Sequence, residues 1–378
     1  MIKIAVDASV LSSKIILNTG IYYCLLNYLE QLQSNNNGQY ELILFVPEFI
    51  KDYFVEKYPK LTVQTIRFPL NNVFLRIFYQ NIILPIYLYI NRIDIYFNPS
   101  IIVPFLCFKK SIIVIHDLTY KLYPAFYKSR VHNFYLRVMT WISIKKASYI
   151  LCVSENTKSD VLRIYNPDTN KVKTITNGLV KHEPDQSASK RISPMTPENN
   201  LISSPYVLFV GTFEKKKNIP CLLKAFDMVR QSEYNNLFLV LAGKDGWGCG
   251  DVYKTIDELQ LEDHVIIKKE LADRELDQIY TGASIFVLPS VYEGFGLPVL
   301  EAMDHGVPVI ASNAASLPEI VGDAGLLFES NNAEELAEKI IMLLKNNDLQ
   351  VELRERGYQN LKRFTWELFG REFYKLLL

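Results

Sequence analysis

A glycine-containing loop between an apolar strand and a helix is the part of this sequence best suited to chemistry. The apolar run Ile285–Leu288 predicts the strand, and Pro298 suits the first turn of the helix, where a backbone N–H is not needed. Between them, Gly294 and Gly296 permit a tight bend and the close approach of a ligand. Loop N–H groups together with a helix N-terminus form an anion site suited to phosphate.

Two glutamates flank this loop. Glu293 precedes Gly294, and Glu301 lies about one helical turn after Pro298. A carboxylate cannot bind the phosphate, but it accepts hydrogen bonds from sugar hydroxyls, so the arrangement suits a nucleotide sugar. A helix-capping loop with a surface glutamate would have the same residues, and a single loop of this kind is compatible with either interpretation.

The elements that must position this loop are predicted by short apolar runs that alternate with stretches of helical length. Such alternation is typical of parallel-sheet α/β domains with helices on both faces, which bind ligands beyond the carboxyl ends of their strands. The predicted strands are Ile2–Val6, Leu42–Val46, Ile93–Phe97, Ser111–Ile115, Tyr149–Val153, Tyr206–Val210, Phe238–Ala242, Val265–Lys268, Ser284–Leu288 and Val307–Ala311.

The chain has 378 residues, a length that predicts two domains, and 49% of them are apolar, enough for real cores. A polar seam at 183–204 predicts a linker or surface loop, which places an N-terminal domain at 1–190 and a C-terminal domain at 200–362. Five cysteines without CxxC spacing indicate neither a zinc site nor a disulfide framework. The N-terminal sequence lacks the pattern of a secretion signal, so we predict a cytoplasmic protein.

The net charge of zero conceals an asymmetry between the halves. Residues 1–190 hold 22 Lys and Arg against 13 Asp and Glu, whereas residues 191–378 hold 19 against 28. A basic half is compatible with an anionic substrate or membrane surface, and equally with chance and solvated faces; the overall balance gives no indication of nucleic-acid binding.

Residues 70–107 are unusually apolar. Ile77–Ile90 has 14 residues and is interrupted by Gln80, Asn81 and Pro85, whereas a membrane span needs about 20 predominantly apolar residues. A core helix or an interfacial helix fits better. Because basic residues follow soon afterwards, peripheral contact with an anionic membrane, on the inner face of the cell membrane, stays open.

Several motifs together resemble family 4 retaining glycosyltransferases of the GT-B fold, with the polysaccharide mannosyltransferases as the nearest branch. The motifs cover nearly the whole chain and are most specific in its second half. They are EGFGLPVLE (293–301), GVPVIASNAASLPEIVGDAGLLFE (306–329), YVLFVGTFEKKKNIPCLLKAF (206–226), LAGKDGW (241–247), VIHDLTY (114–120) and Asn177–Gly178. The resemblance implies two Rossmann-like parallel-sheet domains facing across a cleft, with the last helix, about 363–378, packed back onto the first domain.

The resemblance implies catalytic roles for Glu293 and Lys217 and donor-binding roles for Glu301 and the loop around it. Glu301 would hold the ribose hydroxyls, and Glu293 would contact hydroxyls of the transferred sugar. Lys217 would neutralise the diphosphate leaving group, on which negative charge develops in the transition state. The remaining donor-binding positions form the loop around these residues: Gly294, Phe295, Gly296, Leu297, Thr212 and Lys216.

Two of these positions depart from the family pattern. Thr212 follows Gly211 where many relatives carry Arg, and Lys216 stands where Arg is common. Lysine binds phosphate as a point charge without a planar fork, so it orients the group less tightly. Lys268 and Lys269 also replace a frequent Gly before the loop that frames the nucleobase. Since the chain contains no D-x-D triplet, we expect no divalent metal and no cofactor beyond the nucleotide-sugar substrate.

The resemblance also implies a catalytic residue, His116, and a donor-binding residue, Gly20, in the first domain. His116 follows the strand Ser111–Ile115 and is implied to contact substrate near the reacting carbon, with Asp117 bracing its loop. Gly20 resembles a glycine loop facing the diphosphate and acceptor. Asp7 ends the first strand and could order this loop or simply cap the strand.

The sequence thus predicts a metal-independent hexosyltransferase that moves a hexose, with mannose from GDP-mannose favoured, to a glycan or lipid-linked saccharide acceptor in bacterial-type surface polysaccharide synthesis. Two alternatives stay open: a nucleotide-sugar epimerase on the same fold, and a catalytically silent glycosyltransferase-like binding partner.

Overall fold

The computed structural model describes residues 1–11, 19–70, 72–127, 130–180, 202, 204–232 and 234–377. These form two units, one from 1–122, 129–178 and 365–378, the other from 123–128 and 179–364. Most of the predicted seam at 183–204 lies outside the described residues.

The first unit is built on a seven-stranded parallel sheet in the order β3-β2-β1-β4-β5-β6-β7. Its strand order reverses between β1 and β4. The strands are β1 (Ile2–Asp7), β2 (Tyr40–Pro47), β3 (Thr62–Ile66), β4 (Ile95–Asn98), β5 (Lys110–Ile115), β6 (Tyr149–Cys152) and β7 (Val172–Thr174).

Eight α-helices accompany this sheet in the described residues of the unit. They are α1 (Gly20–Ser34), α2 (Lys51–Lys57), α3 (Val73–Phe78), α4 (Leu84–Ile90), α5 (Thr119–Leu122), α6 (Arg130–Lys146), α7 (Glu155–Tyr165) and α15 (Trp366–Leu377). The apolar region 70–107 is therefore two short helices, joined by a π-helical turn at Tyr79–Ile83, and then β4. In the described residues, no helix is both long and apolar enough to cross a membrane.

The C-terminal helix α15 completes the core of the first unit. The Phe369 ring stacks on Tyr28 of α1 with centroids 4.5 Å apart, and Phe373 packs against Phe97 of β4 at 4.7 Å. A side chain at Gly178 would come within 2.5 Å of the Trp366 backbone nitrogen, so this position accepts only glycine. Aromatic packing thus attaches the end of the chain to this unit.

The second unit has a six-stranded parallel sheet in the order β10-β9-β8-β11-β12-β13, which reverses between β8 and β11. Its strands are β8 (Tyr206–Val210), β9 (Phe238–Ala242), β10 (Val265–Lys268), β11 (Ile285–Leu288), β12 (Val309–Ser312) and β13 (Gly325–Phe328). Its α-helices are α8 (Ile219–Gln231), α9 (Gly250–Glu258), α10 (Asp273–Thr281), α11 (Leu297–Asp304), α12 (Leu317–Val321), α13 (Ala333–Lys345) and α14 (Asn347–Leu361).

The two parallel-sheet α/β units predicted from the sequence are confirmed, and all ten predicted strands are present with ends shifted by up to two residues. Three strands were missed, namely β3, β7 and β13. Each of them lies at the edge of its sheet. An edge strand has one neighbour and is less buried, so it needs no continuous apolar run, and three of the five residues of Thr62–Ile66 are indeed polar.

Candidate active site

The loops after β8 and β11 meet at the reversal point of the second sheet, where open α/β sheets bind ligands. The loop after β8 forms a short 3-10 turn at Lys215–Lys217, and the loop after β11 runs from Pro289 to Gly296. A backbone hydrogen bond of 2.8 Å from the Val291 N–H to the Lys216 carbonyl joins them. The lysine turn and the glycine loop therefore form one site. Lys217 and Glu293, which meet there, are 76 residues apart in the sequence.

A buried ion pair lies at the centre of this site. The Lys217 Nζ lies 2.5 Å from Glu293 Oε1, and both side chains are buried. The Ser290 hydroxyl donates to the same carboxylate oxygen over 2.6 Å. Burial alone would raise the pKa of Glu293, but the ammonium groups of Lys217 and Lys216 outweigh it and hold that pKa below its ordinary value. Glu293 is consequently ionised at neutral pH.

The glycine loop is held in shape by Ser316, which precedes α12. Its buried hydroxyl lies 2.9 Å from the Glu293 carbonyl and 2.8 Å from the Phe295 carbonyl. Gly296 has φ +118° at the start of α11, and a Cβ there would sit 3.0 Å from a Leu317 methyl carbon. This positive φ strains any other residue, so glycine is required where the loop enters the helix.

Glu301 lies on the second turn of α11 and is half-buried. The buried Tyr280 hydroxyl, from α10, donates to Glu301 Oε2 over 2.7 Å. The Tyr280 ring in turn stacks on His305, with centroids 5.1 Å apart, and His305 Nε2 lies 3.4 Å from Asp277. A side chain from another helix thus fixes the orientation of the glutamate predicted to hold the ribose.

The loop after β9 packs tightly against the loop after β8. A Cβ at Gly243 would lie 2.0 Å from the Gly211 carbonyl oxygen, so no side chain fits there. Thr212 follows Gly211, and a Cβ at Gly246 would come within 2.6 Å of its methyl group. These two loops therefore touch backbone to backbone beside the lysine run.

At the neighbouring carboxyl ends of β9 and β10, charged groups form an exposed cluster. Asp245 accepts from the Tyr253 hydroxyl over 2.6 Å and pairs with Lys269 at 2.7 Å. Hydrogen bonds from Lys269 and Tyr253 lower the pKa of Asp245. Lys269 is one of the two lysines that stand where the family resemblance implies a glycine. Its ammonium group is held by the carboxylate of Asp245, in the loop after β9.

The first unit holds two of the predicted site residues, His116 and Gly20. His116 follows β5, and its Nε2 lies 2.8 Å from the Pro99 carbonyl oxygen. Burial lowers the pKa of His116, so the ring is neutral at pH 7 despite the raising effects of Pro99 and Asp117. A carbonyl only accepts, hence Nε2 carries the hydrogen and Nδ1 is the acceptor that a sugar hydroxyl could meet.

Two other residues singled out in the sequence of the first unit, Asp117 and Asn177, accept hydrogen bonds within that unit. Asp117 accepts from the Thr119 N–H over 3.0 Å, which braces its loop. Asn177 accepts from the Tyr28 hydroxyl over 2.9 Å inside the unit. Gly20 is the first residue of α1 and is exposed, while residues 12–18 before it lie outside the described residues.

Three positioning residues, Tyr280, Ser290 and Ser316, were not predicted from the sequence. Ser290 stands three residues before Glu293 in the loop that was singled out, so its proximity was a usable signal. Tyr280 and Ser316 lie 21 and 23 residues from the groups they contact, and nothing in their local sequence marks them.

Within the described residues, no group of three or more His, Cys, Asp or Glu side chains could share a metal ion.

The sequence of the chain is similar to those of known glycosyltransferases. The family described as glycosyl transferases group 1 matches residues 196–360. O-antigen chain mannosyltransferase B of Escherichia coli is 31% identical over 274 residues, 72% of this chain and 71% of that protein.

Two solved structures share the fold. Sucrose-phosphate synthase from Thermosynechococcus elongatus superposes with a TM-score of 0.76 at 20% identity, covering 100% of this chain and 98% of the other. Anabaena HepE, solved in complex with UDP and glucose, gives 0.74 at 17% identity, covering 100% and 99%. The chain is accordingly an enzyme, a hexosyltransferase with the GT-B fold, and it belongs to the group 1 glycosyltransferases in the branch of the O-antigen mannosyltransferases.

Proposed function

We propose that this enzyme transfers mannose from GDP-mannose to a glycan or lipid-linked saccharide in the synthesis of a cell-surface polysaccharide, with retention of the anomeric configuration as in family 4. The observation that carries the proposal is the buried Lys217–Glu293 pair beside the glycine loop. It combines a fixed cation for a diphosphate with a carboxylate for sugar hydroxyls. The name of the Escherichia coli relative supports mannose as the sugar.

The proposed reaction needs charge stabilisation more than proton abstraction. The acceptor hydroxyl oxygen bonds to the anomeric carbon while that carbon's bond to the β-phosphate oxygen breaks, and its electron pair stays on the nucleoside diphosphate. The hydroxyl proton passes to the departing phosphate oxygen or to water. Lys217 has three N–H donors, so it can keep its bond to Glu293 and still donate to the leaving phosphate.

Other residues would bind and orient the donor. The N–H groups of Phe295, Gly296 and Leu297 lie at the N-terminus of α11 and would donate to the diphosphate. Gly294 would allow the diphosphate to approach the backbone. Glu301, fixed by Tyr280, would accept from both ribose hydroxyls. Lys216 and Thr212 would line the phosphate side, while His116 and Gly20 of the first unit would contact the transferred sugar and the acceptor. With lysines and a helix N-terminus in this role, we propose that the reaction needs no divalent metal.

The donor base is the part of the proposal that other nucleotides challenge. HepE was solved with UDP, so a uridine donor is the competing choice. Thermal-shift measurements with GDP-, UDP- and dTDP-sugars should show the largest rise in Tm with GDP-mannose. A larger rise with UDP-sugars would replace the donor and leave the transferase assignment intact.

Glu301→Ala tests the proposed donor site, and assays of the unchanged enzyme separate a transferase from the two alternatives. An active transferase should lose about tenfold or more of its donor affinity, since two hydrogen bonds to a charged group are removed. An epimerase would convert the donor without any acceptor present, and a silent partner would show no turnover in the unchanged enzyme. NMR of the first product formed from GDP-α-mannose would report whether the configuration is retained.

The enzyme's working place is proposed as the cytoplasmic face of the cell membrane, where a lipid-linked acceptor would be reached by peripheral contact. The support is the basic charge of residues 1–190 and the apolar region 70–107. No nucleic-acid partner is proposed.

A further inference from the structure

The first unit exposes an unusual set of large apolar side chains. Phe108 is 86% exposed, Phe74 80%, Tyr89 78% and Phe134 69%. Isolated exposed hydrophobic residues are ordinary on soluble proteins, but a contiguous group indicates an interaction site. The question is whether these side chains form one surface.

Contacts connect the segments that carry them. Lys146, at the end of α6, has its Nζ 4.6 Å from the ring centroid of Phe108 and donates to the Phe105 carbonyl. The Phe105 N–H donates to Asn81, in the π-helical turn between α3 and α4, over 2.8 Å. Lys109 Nζ lies 6.0 Å from the Tyr89 ring centroid of α4. Helix α6, the loop before β5 and the α3–α4 segment therefore border one another.

Helix α6 adds a regular stripe to this surface. Its exposed positions recur every three or four residues and so share one face, while Met139, Ser143 and Ile144 are buried on the other. The exposed stripe combines apolar and basic side chains: Val131, Phe134, Arg137, Val138, Trp141 and Lys145. An apolar stripe bordered by Lys and Arg is the pattern of a helix that lies in a membrane interface.

We call this surface the apolar–basic face and define it by its exposed or ring-contacting members: Phe74, Phe78, Ile86, Tyr89, Phe105, Phe108, Lys109, Phe134, Arg137, Trp141, Lys145 and Lys146.

The charge of the surrounding sequence selects the occupant. Residues 68–154 contain ten Lys and Arg but only two acidic residues, Asp94 and Asp117, and residues 118–154 contain no acid at all. A protein partner for this surface would need an acidic patch that complements its basic groups. Exposed aromatic rings among basic groups without acids instead complement a bilayer of anionic lipids, whose phosphates pair with Lys and Arg while the rings enter the interface.

We propose that the apolar–basic face docks this enzyme onto an anionic lipid bilayer. Trp141, Phe108 and Phe134 lie at the depth of the lipid headgroups, and Arg137, Lys145 and Lys146 pair with lipid phosphates. This inference rests on the proposed function in one respect: a lipid-linked acceptor would explain why the enzyme docks on a membrane. The docking itself can be measured without donor or acceptor.

Flotation of the full chain with vesicles tests the proposal directly. Vesicles of phosphatidylethanolamine with phosphatidylglycerol should carry the protein, whereas pure phosphatidylcholine vesicles should carry far less. The triple variant Arg137→Gln/Lys145→Gln/Lys146→Gln should bind about a hundredfold more weakly, because each basic residue near such a surface contributes about fivefold. Trp141 emission should shift to the blue on binding, and Trp141→Phe should lose that shift.

Matched controls come from the second unit, where Met342 and Val351 are also exposed. Met342→Ser/Val351→Ser should bind vesicles as the unchanged protein does, and Tm should show that every variant is folded. Absence of vesicle binding by the unchanged protein, or equal binding by the triple variant, would overturn the docking proposal. Donor binding measured in solution would still stand in either case, so the two proposals fail separately.

Discussion

Each unit buries a carboxyl group beside the point where the strand order of its sheet reverses, and the two groups have different partners. Asp7 ends β1, beside the reversal of strand order in the first sheet, and Glu293 follows β11, beside the reversal in the second. Asp7 accepts from the Tyr96 hydroxyl at 2.6 Å, from the Ser9 N–H at 2.8 Å and from the Asn98 amide at 3.2 Å. Burial raises its pKa, and these neutral donors only partly counter it.

Glu293 is equally enclosed but faces Lys217, and its pKa is lowered instead. Topology therefore supplies the position of the carboxyl group, while a buried cation decides whether burial raises or lowers its pKa. Asp7 is committed to bracing the ends of β1 and β4. Glu293 stays ionised beside Lys217 at the edge of the sheet where we propose that the donor binds.

Removing the cation that pairs with Glu293 should have the largest effect on stability and turnover. Lys217→Ala leaves a buried carboxylate without its partner, which typically costs about 3–5 kcal/mol of unfolding free energy. It also removes the proposed stabilisation of the leaving diphosphate, worth about a hundredfold or more in kcat. Urea unfolding and initial-rate kinetics measure the two effects.

Lys215→Ala is the matched control, since Lys215 lies in the same 3-10 turn with its side chain exposed. It should change kcat and stability little. If Lys215→Ala impaired turnover as strongly as Lys217→Ala, the buried pair would not be the group that matters.

Removing the brace in the first unit should affect stability alone. Asp7→Asn replaces an acceptor by an amide that cannot accept from Tyr96 and Asn98 in the same way, so we expect a loss of about 1–3 kcal/mol. Donor affinity, measured by titration calorimetry, should stay as it is. A large loss of donor affinity would mean that Asp7 belongs to the donor site.

The two carboxyl groups should also contribute to stability with opposite dependence on pH. A lowered folded pKa means that Glu293 stabilises the fold above its ordinary pKa and that this contribution is lost as pH falls through the folded value. The raised pKa of Asp7 gives a contribution that is present below its ordinary value and lost as pH rises. Below the ordinary glutamate pKa of 4.5, Glu293→Gln should therefore flatten the rise of unfolding free energy with pH, and above the ordinary aspartate pKa of 3.8, Asp7→Asn should steepen it. Equal slopes in both variants would contradict the contrast.

The smallest effect is expected from the contact that orients Glu301. Tyr280→Phe removes one hydrogen bond to a carboxylate and should raise KM for the donor about five- to tenfold with kcat nearly unchanged. Tyr206→Phe is its control, because that buried hydroxyl donates to the Ile279 carbonyl over 2.7 Å and contacts no proposed site residue. A similar rise in KM in both variants would reduce the role of Tyr280 to general stability.

The fold was largely predictable because central strands of parallel sheets are continuous apolar runs, as in Ile285–Leu288. Edge strands such as Thr62–Ile66 escape this signal. The strand–loop–helix arrangement around Glu293 was predictable because it is one continuous segment of the sequence. The direct pairing of Lys217 with Glu293 and the contact of Tyr280 with Glu301 depend on how separate strands and helices pack, which local patterns do not encode.

The attachment of α15 to the first unit bears on the order in which the protein matures during synthesis. Tyr28 and Phe97 gain their partners Phe369 and Phe373 only after the whole second unit has been made. On the ribosome, the half of the enzyme that is translated first is therefore finished last, and its open aromatic groove must be protected from aggregation until the final helix arrives.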